Sequence, residues 1–395
     1  MKQNLLVLPA IILFSFLYGS TSYSQDSLLQ RLAADNLKLF NYQNNEFKGE
    51  GWDYIMDKID RSKNVLVGED HFSNEIPAFI KSISQDVEFD NFYIEMDPYS
   101  TKIIEDSFKE FSNDDRIKFN KQYSELFSFY ALRPEYELLE AIQKSGARIL
   151  GSDQVVMYAD RLIFQDIVRR TENQKAKDIY TVIIEQSRLH LEKFYENPAN
   201  PMYFMTAEFS KHLQDLQLLD LSETEDLIIA DMQRSVVIYK EQNHRKRVQL
   251  ILHQLMKDYP KWNQAKNLFK YGANHMARGE SFLTVFDIGN VVANITESNY
   301  EQSFHIMIIG ESGMLGSPFK TFPPNPVDTE NAFYLSYLKP FFKITQGSEW
   351  HMFNMIPLRK AVEKNRLKIE NSNLLRVIKG FDVLVVIPEV TAAKF

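Results

Sequence analysis

Short runs of apolar residues, rich in β-branched and aromatic types, recur along the chain between stretches with helical spacing. Six runs read as strands: Asn64–Gly68, Asn91–Glu95, Ala147–Gly151, Asn267–Gly272, Ser303–Gly310 and Phe381–Pro388. Their apolarity is nearly continuous rather than alternating, as a sheet covered on both faces requires. Helical patterns lie between the first three, around Ile76–Ser84, Tyr99–Phe111 and Glu135–Lys144. Such strand–helix–strand crossovers are almost always right-handed and give parallel neighbours.

The middle of the chain differs. From Tyr158 to about Tyr259 no strand-like run occurs, and apolar residues recur at helical spacing, as at Ile229, Met232, Val236 and Tyr239. Pro198 and Pro201 interrupt this region and Pro260 closes it. Residues 158–260 therefore read as an all-helical insertion between the third and fourth strands, covering part of the sheet or capping a cleft. The expected fold is α/β: a mostly parallel central sheet covered by helices, with residues 25–395 in a single domain. Gly310–Asp328, dense in glycine and proline, reads as a long loop.

Composition changes this picture at three points. Lys2 precedes an apolar run from Leu5 to Tyr18, and small residues at Ser22 and Ser24 suit cleavage before Gln25, so residues 1–24 read as a secretory signal. The run is too short to span a bilayer, which implies a periplasmic or secreted protein with no membrane span after cleavage. The absence of cysteine excludes disulfides, thiolate metal sites and a cysteine nucleophile. The formal charge of −8 offers no footprint for nucleic acid. The one basic cluster, His244-Arg-Lys-Arg247, lies in a helical pattern beside Glu241 and reads as a solvated helix face.

In an open parallel sheet, ligands bind beyond the carboxyl ends of the strands. The first strand leads into Gly68-Glu69-Asp70-His71, with Glu75 one turn on, and the second into Glu95-Met96-Asp97. The third is followed by Gly151-Ser152-Asp153, and the fourth by Gly272-Ala-Asn-His275 and then Arg278. If these strands are parallel, His71, His275 and several carboxylates share one rim. That set suits a divalent metal (Mn, Co or Zn) held by His71, His275 and Glu69, or a histidine base steered by carboxylates. Blander roles compete: Asp97-Pro98 is an ordinary helix start, and Asp153 suits a cap as well as a site. His190, His212, His244 and His253 fall in polar helical settings facing solvent, His305 in the core, and nothing in the spacing demands His351. Gly310-Glu-Ser312-Gly lacks the spacing of a nucleophile elbow.

The order of these pieces resembles the superfamily containing erythromycin esterase-like, ChaN-like and Tiki/TraB-like proteins. The matching positions are Gly68, Glu69, His71 and Glu75; Glu95; Gly151 and Asp153; Gly272 and His275. The resemblance implies an α/β core with the site at one strand edge. It also implies several activities: hydrolysis with a histidine base, metal-dependent proteolysis, or haem binding. The Glu69-Asp70-His71 spacing is the shorter one of the ChaN/Tiki-like members, whereas the helical insertion and overall length match the esterase-like branch.

Two functions follow. One is an exported hydrolase of a small-molecule or peptide substrate, with His71 as base or metal ligand and Glu69, Glu95 and His275 as its partners. Glu75, Asp153 and Arg278 would surround them, Arg278 meeting a substrate carboxylate or an oxyanion. The other is a non-catalytic protein binding haem or another small ligand, suggested by an aromatic fraction of 13% and by Tyr93, Tyr99, Tyr130 and Tyr271 near the rim.

Overall fold

The computed structural model describes residues 27–329 and 333–395, so the signal segment read at residues 1–24 lies outside the described residues. Its strands are β1 (Leu37–Gln43), β2 (Glu46–Lys48), β3 (Asn64–Glu69), β4 (Asn91–Ile94), β5 (Arg148–Gly151), β6 (Asn267–Gly272), β7 (Ser303–Gly310), β8 (Met314–Leu315), β9 (Asn325–Pro326), β10 (Trp350–Asn354) and β11 (Val383–Ile387). Nine of them form one sheet in the order β2-β1-β10-β11-β7-β3-β6-β4-β5. Every neighbouring pair from β11 to β5 is parallel. The six strands expected from the apolar runs are these six, and the fold is the α/β class expected. β10, β1 and β2 add an antiparallel edge that the runs do not announce, because β1 mixes exposed and half-buried positions around one buried residue, Phe40.

The near-continuous apolarity of the parallel strands has the physical cause inferred for it. β3, β6 and β7 are buried along their whole length. Val65 and Val67 of β3 face one apolar cluster, with Ile80, Ile104 and Leu138 from helices Glu75–Asp86, Pro98–Glu110 and Arg133–Ser145. Leu66 faces the opposite cluster, with Ile251, Val292, Leu358 and Val377 from helices His244–Lys257, Ile288–Ser298, Met355–Glu363 and Ser372–Gly380.

Among the described residues no strand interrupts the chain between β5 and β6. The insertion consists of helices, from Asp160–Ile167 through Gln174–Glu196, Ala207–Leu216 and Glu223–Glu241 to His244–Lys257 and the short Tyr259–Trp262. Most of it packs on its own apolar cluster of Phe164, Tyr180, Phe209, Ile229 and Met232. Its last long helix instead lies against the sheet. The glycine- and proline-rich segment after β7 is mostly irregular but contains the antiparallel pair β8–β9. Among the described residues no helix is long and apolar enough to cross a membrane.

Register in the sheet is set by side chains as well as by burial. β3, β4 and β6 each begin with asparagine, and the pairing aligns Asn267 with both Asn64 and Asn91. Asn91 Nδ2 donates to Asn267 Oδ1 at 2.7 Å, and Asn267 Nδ2 to Asn64 Oδ1 at 2.7 Å. Asn64 Nδ2 continues to Thr296 Oγ1 at 2.7 Å. All three amides are buried, so a slip of one residue would strand them without partners. Asn267→Ala is expected to lower the unfolding free energy by about 3 kcal/mol, because it orphans both neighbours. Urea unfolding at neutral pH measures this, and a loss under about 0.5 kcal/mol would show that the ladder does not hold the register.

Candidate active site at the carboxyl ends of the parallel strands

The pairing that aligns the asparagines also makes the opposite strand ends flush. Glu69, the last residue of β3, lies beside Gly272, the last of β6. Glu95 follows β4 directly, and Asp153 lies two residues beyond β5. Space for a Cβ is short at two of these exits. A Cβ on Gly272 would lie 3.0 Å from His71 Nε2, and one on Gly151 would lie 2.4 Å from the Met96 carbonyl oxygen.

Glu69 is buried and orients His71, whose Nδ1 lies 2.6 Å from Glu69 Oε1. The same oxygen accepts from Lys270 Nζ at 2.5 Å, and Lys270 also reaches Glu135 Oε1 at 2.9 Å. Lys270 belongs to β6, is fully buried, and sits 5.3 Å from the Tyr130 ring centre. The His71 ring stacks on Phe129 at 4.4 Å. Both flanks carry non-glycine residues in the left-handed region, Phe72 (φ 77°) and Ser128 (φ 56°). Phe72 is pinned there because its carbonyl accepts from Gly316 N at 2.8 Å and Ala393 N at 2.9 Å.

Glu95 is the shared partner. It accepts from Gly272 N at 2.6 Å and from Arg247 Nη2 at 2.6 Å. His71 Nε2 lies 3.4 Å from one of its oxygens and His275 Nε2 3.5 Å from the other. Arg247 also clasps Asp153 through Nε at 3.0 Å and Nη2 at 2.5 Å. The other nitrogen of His275, Nδ1, is 3.0 Å from Asp287 Oδ2.

Electrostatics follow from this geometry. Burial opposes charge on His71, but its bonds to Glu69 and Glu95 prevail and raise it to about 10. Burial likewise opposes charge on His275, and Glu95 and Asp287 outweigh it, raising it to about 9. Glu95 is held well below the usual carboxylate range, because His275 and His71 overcome the cost of burying it. Glu135, driven by burial against the pull of Lys270, rises to about 7. At neutral pH the free protein therefore carries two imidazoliums, Lys270 and Arg247 beside the ionised Glu69 and Glu95, with Arg247 also paired to Asp153 and His275 to Asp287.

Of the residues singled out from the sequence, His71, Glu69, Glu95, His275 and Asp153 come together. Two do not. Arg278 binds Asp382 Oδ1 at 2.6 Å and the Ser303 carbonyl at 2.6 Å, at the amino-terminal ends of β11 and β7, because the chain after His275 turns back along the sheet. Glu75 is spent on Thr391, accepting from its hydroxyl at 2.6 Å and its N–H at 3.0 Å. Asp97 caps the helix Pro98–Glu110 through the N–H groups of Tyr99 and Ser100. His305 is buried in the core as expected.

Arg247 and His244 correct the reading of the basic cluster as a solvated face. Arg245 and Lys246 are exposed, but Arg247 lies on the buried stripe of its helix with Val248, Ile251 and Leu255. His244, one turn earlier, has its ring centre 5.6 Å from that of His275. The signal was present as the three- and four-residue spacing of 244, 247, 248, 251 and 255. Lys270 was legible too, as a lysine inside the otherwise apolar run Asn267–Gly272, since a buried lysine needs a counter-charge.

No family model and no curated protein matches the chain. Solved structures do. A mutant of erythromycin esterase EreC in its open conformation superposes with a TM-score of 0.58, covering 91% of this chain and 99% of that one at 10% identity. The chain has the erythromycin esterase-like fold. A Bacillus cereus protein gives 0.54 over 93% of this chain and 98% of its own, at 11% identity. A succinoglycan biosynthesis protein gives 0.53 over 94% and 99%, at 12% identity. A haem-bound ChaN from Campylobacter jejuni superposes only at 0.30. The resemblance read from the strand-end motifs is thus met at the level of the fold, and chemistry has to be argued from the site.

The raised imidazoles carry a stability consequence. Their folded pKa values of about 10 and about 9 exceed the unfolded value of about 6.5. Their contribution is fully present below about pH 6.5 and is lost as pH rises through 9 and 10. The urea midpoint is expected to fall from neutral to alkaline pH, less steeply in a His71→Gln/His275→Gln variant. Equal slopes in the two proteins would show that the imidazoles are not charged in the fold.

Proposed function

We propose that the chain is an exported hydrolase in which His71, oriented by Glu69, takes a proton from the water that attacks a small-molecule or peptide substrate. The observation that carries this is the placement of His71 between a buried carboxylate and solvent. Its side chain is 22% exposed, whereas that of Glu69 is 1% exposed. Arg247, also partly exposed, shares the opening through Glu95 and takes the role expected of Arg278, meeting a substrate carboxylate or the developing oxyanion. His275 holds the other oxygen of Glu95 and keeps that carboxylate aimed at the opening. Export rests on Lys2 and the apolar run that follows it.

A metal held by His71, His275 and Glu69 has no support in the geometry. Glu69 Oε1 is taken by Lys270 and His71 Nδ1, and the two imidazoles reach opposite oxygens of Glu95. The haem reading is no better supported. Tyr93 and Tyr130 are wholly buried, Tyr99 donates to Asp231, and the Tyr271 hydroxyl pairs with Ser152.

A base whose conjugate acid sits near 10 is neutral in only about one molecule in 10³ at pH 7, but that fraction is strongly basic. With a panel of small esters, kcat/KM is expected to climb about tenfold per pH unit above neutrality and to level off toward pH 10. His71→Ala should lower it by about 10³. Full activity in that variant, or a plateau already reached at pH 7, would refute His71 as the base.

A further inference from the structure

We propose that His244, His275 and Asp287 form a divalent transition-metal site beside the His71–Glu69 pair and separate from it. Among the described residues, this is the group of histidine and carboxylate side chains whose donor atoms all lie within 4.8 Å of one another. His275 Nδ1 is 3.0 Å from Asp287 Oδ2, and His244 Nε2 is 3.9 Å from the same oxygen. A tetrahedral zinc site, with bonds of about 2.0–2.1 Å, spaces its ligand atoms by roughly 3.3 Å, so small side-chain movements suffice.

Three features distinguish this group from a chance meeting of polar residues. First, His244 Nε2 is buried without a hydrogen-bond partner, a condition that disfavours the fold unless something fills it. Second, the three residues come from separate rigid elements. Asp287 caps helix Ile288–Ser298 through its other oxygen, His275 lies in the helical turn Ala273–Met276 after β6, and His244 begins helix His244–Lys257 behind the Asn243 cap. Third, the far nitrogen of the His275 ring is placed for a ligand role, the ion displacing the proton from Nδ1. A metal on His275 Nδ1 requires its proton on Nε2, and Nε2 faces Glu95 Oε1 at 3.5 Å. A metal-bound imidazole that donates its other N–H to a carboxylate is the arrangement that fixes the ring and strengthens the ligand.

Two imidazoles and one carboxylate suit Zn²⁺ or Co²⁺ rather than the oxygen-seeking Mg²⁺ and Ca²⁺. Three protein ligands leave a coordination position for water or for a ligand donor. The side chain of His244 is 25% exposed, which supplies a route for the ion. His275 then links this site to the Glu95 carboxylate shared by His71 and Arg247.

The test is metal occupancy, which is independent of any hydrolase assay. Protein stripped with a chelator is titrated with Co²⁺, read by visible absorption, and competed with Zn²⁺. One ion per chain is expected, with low-coordinate Co²⁺ bands that Zn²⁺ abolishes. His244→Ala and Asp287→Asn each remove a direct ligand and should weaken binding by more than about 100-fold, whereas His71→Ala should stay within about tenfold of the wild type. His244→Ala, at a partly exposed helix start, keeps the test valid should Asp287→Asn unfold; thermal melts verify both. Absence of binding at about 100 µM Co²⁺ would overturn the proposal and leave a bridging water between His244 and Asp287. Binding lost in His71→Ala but kept in His244→Ala would overturn it as well, by placing the ion on the other imidazole.

Discussion

The carboxylate of Glu95 is buried one residue beyond β4 and remains ionised there only because four donors from three parts of the chain converge on it. An isolated buried carboxylate would cost several kcal/mol or take up a proton. The Gly272 N–H reaches it because β6 is inserted between β3 and β4, and because glycine keeps Cβ out of the space beside His71. His71 and His275 reach it because β3 and β6 end flush. Arg247 reaches it because helix His244–Lys257 lies across the strand ends. Sheet topology, register and the docking of the insertion therefore meet in one ion-paired group.

This dependence gives the helical insertion a chemical role as well as a covering one. Most of the insertion packs on its own apolar cluster, and its last long helix carries Arg247 and His244 to the strand edge. Tyr99 strengthens the junction by donating to Asp231 of helix Glu223–Glu241 at 2.6 Å. Movement of this helix would strip Glu95 of its guanidinium and His275 of its neighbour together. The opening is consequently lined by His71 and Arg247, whose charges are paired from beneath by Glu69, Glu95 and Asp153.

Much of this was legible in the residues. The six parallel strands followed from uninterrupted apolar runs, and parallel pairing placed His71, Glu69, Glu95, His275 and Asp153 on one rim. The antiparallel edge was not legible, because β1 and β2 are partly exposed and carry no such run. Arg278 misled because position after a strand does not reveal where the chain turns, and here it runs back to the amino-terminal ends. Arg247 and His244 were hidden by composition: four consecutive basic residues suggest a solvated face, yet the spacing of Val248, Ile251 and Leu255 already put two of the four on the buried side. Lys270 is masked for the opposite reason, as one charge within a run of apolar neighbours, and only its need for a buried counter-charge marks it out.

Glu69 and Glu95 hold His71 as an imidazolium in a buried cluster of paired charges. Nitrogen-15 NMR of the histidine side chains, assigned with the His71→Gln variant and followed from neutral to alkaline pH, observes that state directly. His71 is expected to keep protons on both ring nitrogens at pH 8 and to titrate near 10. A His71 ring that is already neutral at pH 7.5 would contradict it, and would leave Arg247 and Lys270 alone to balance the buried carboxylates.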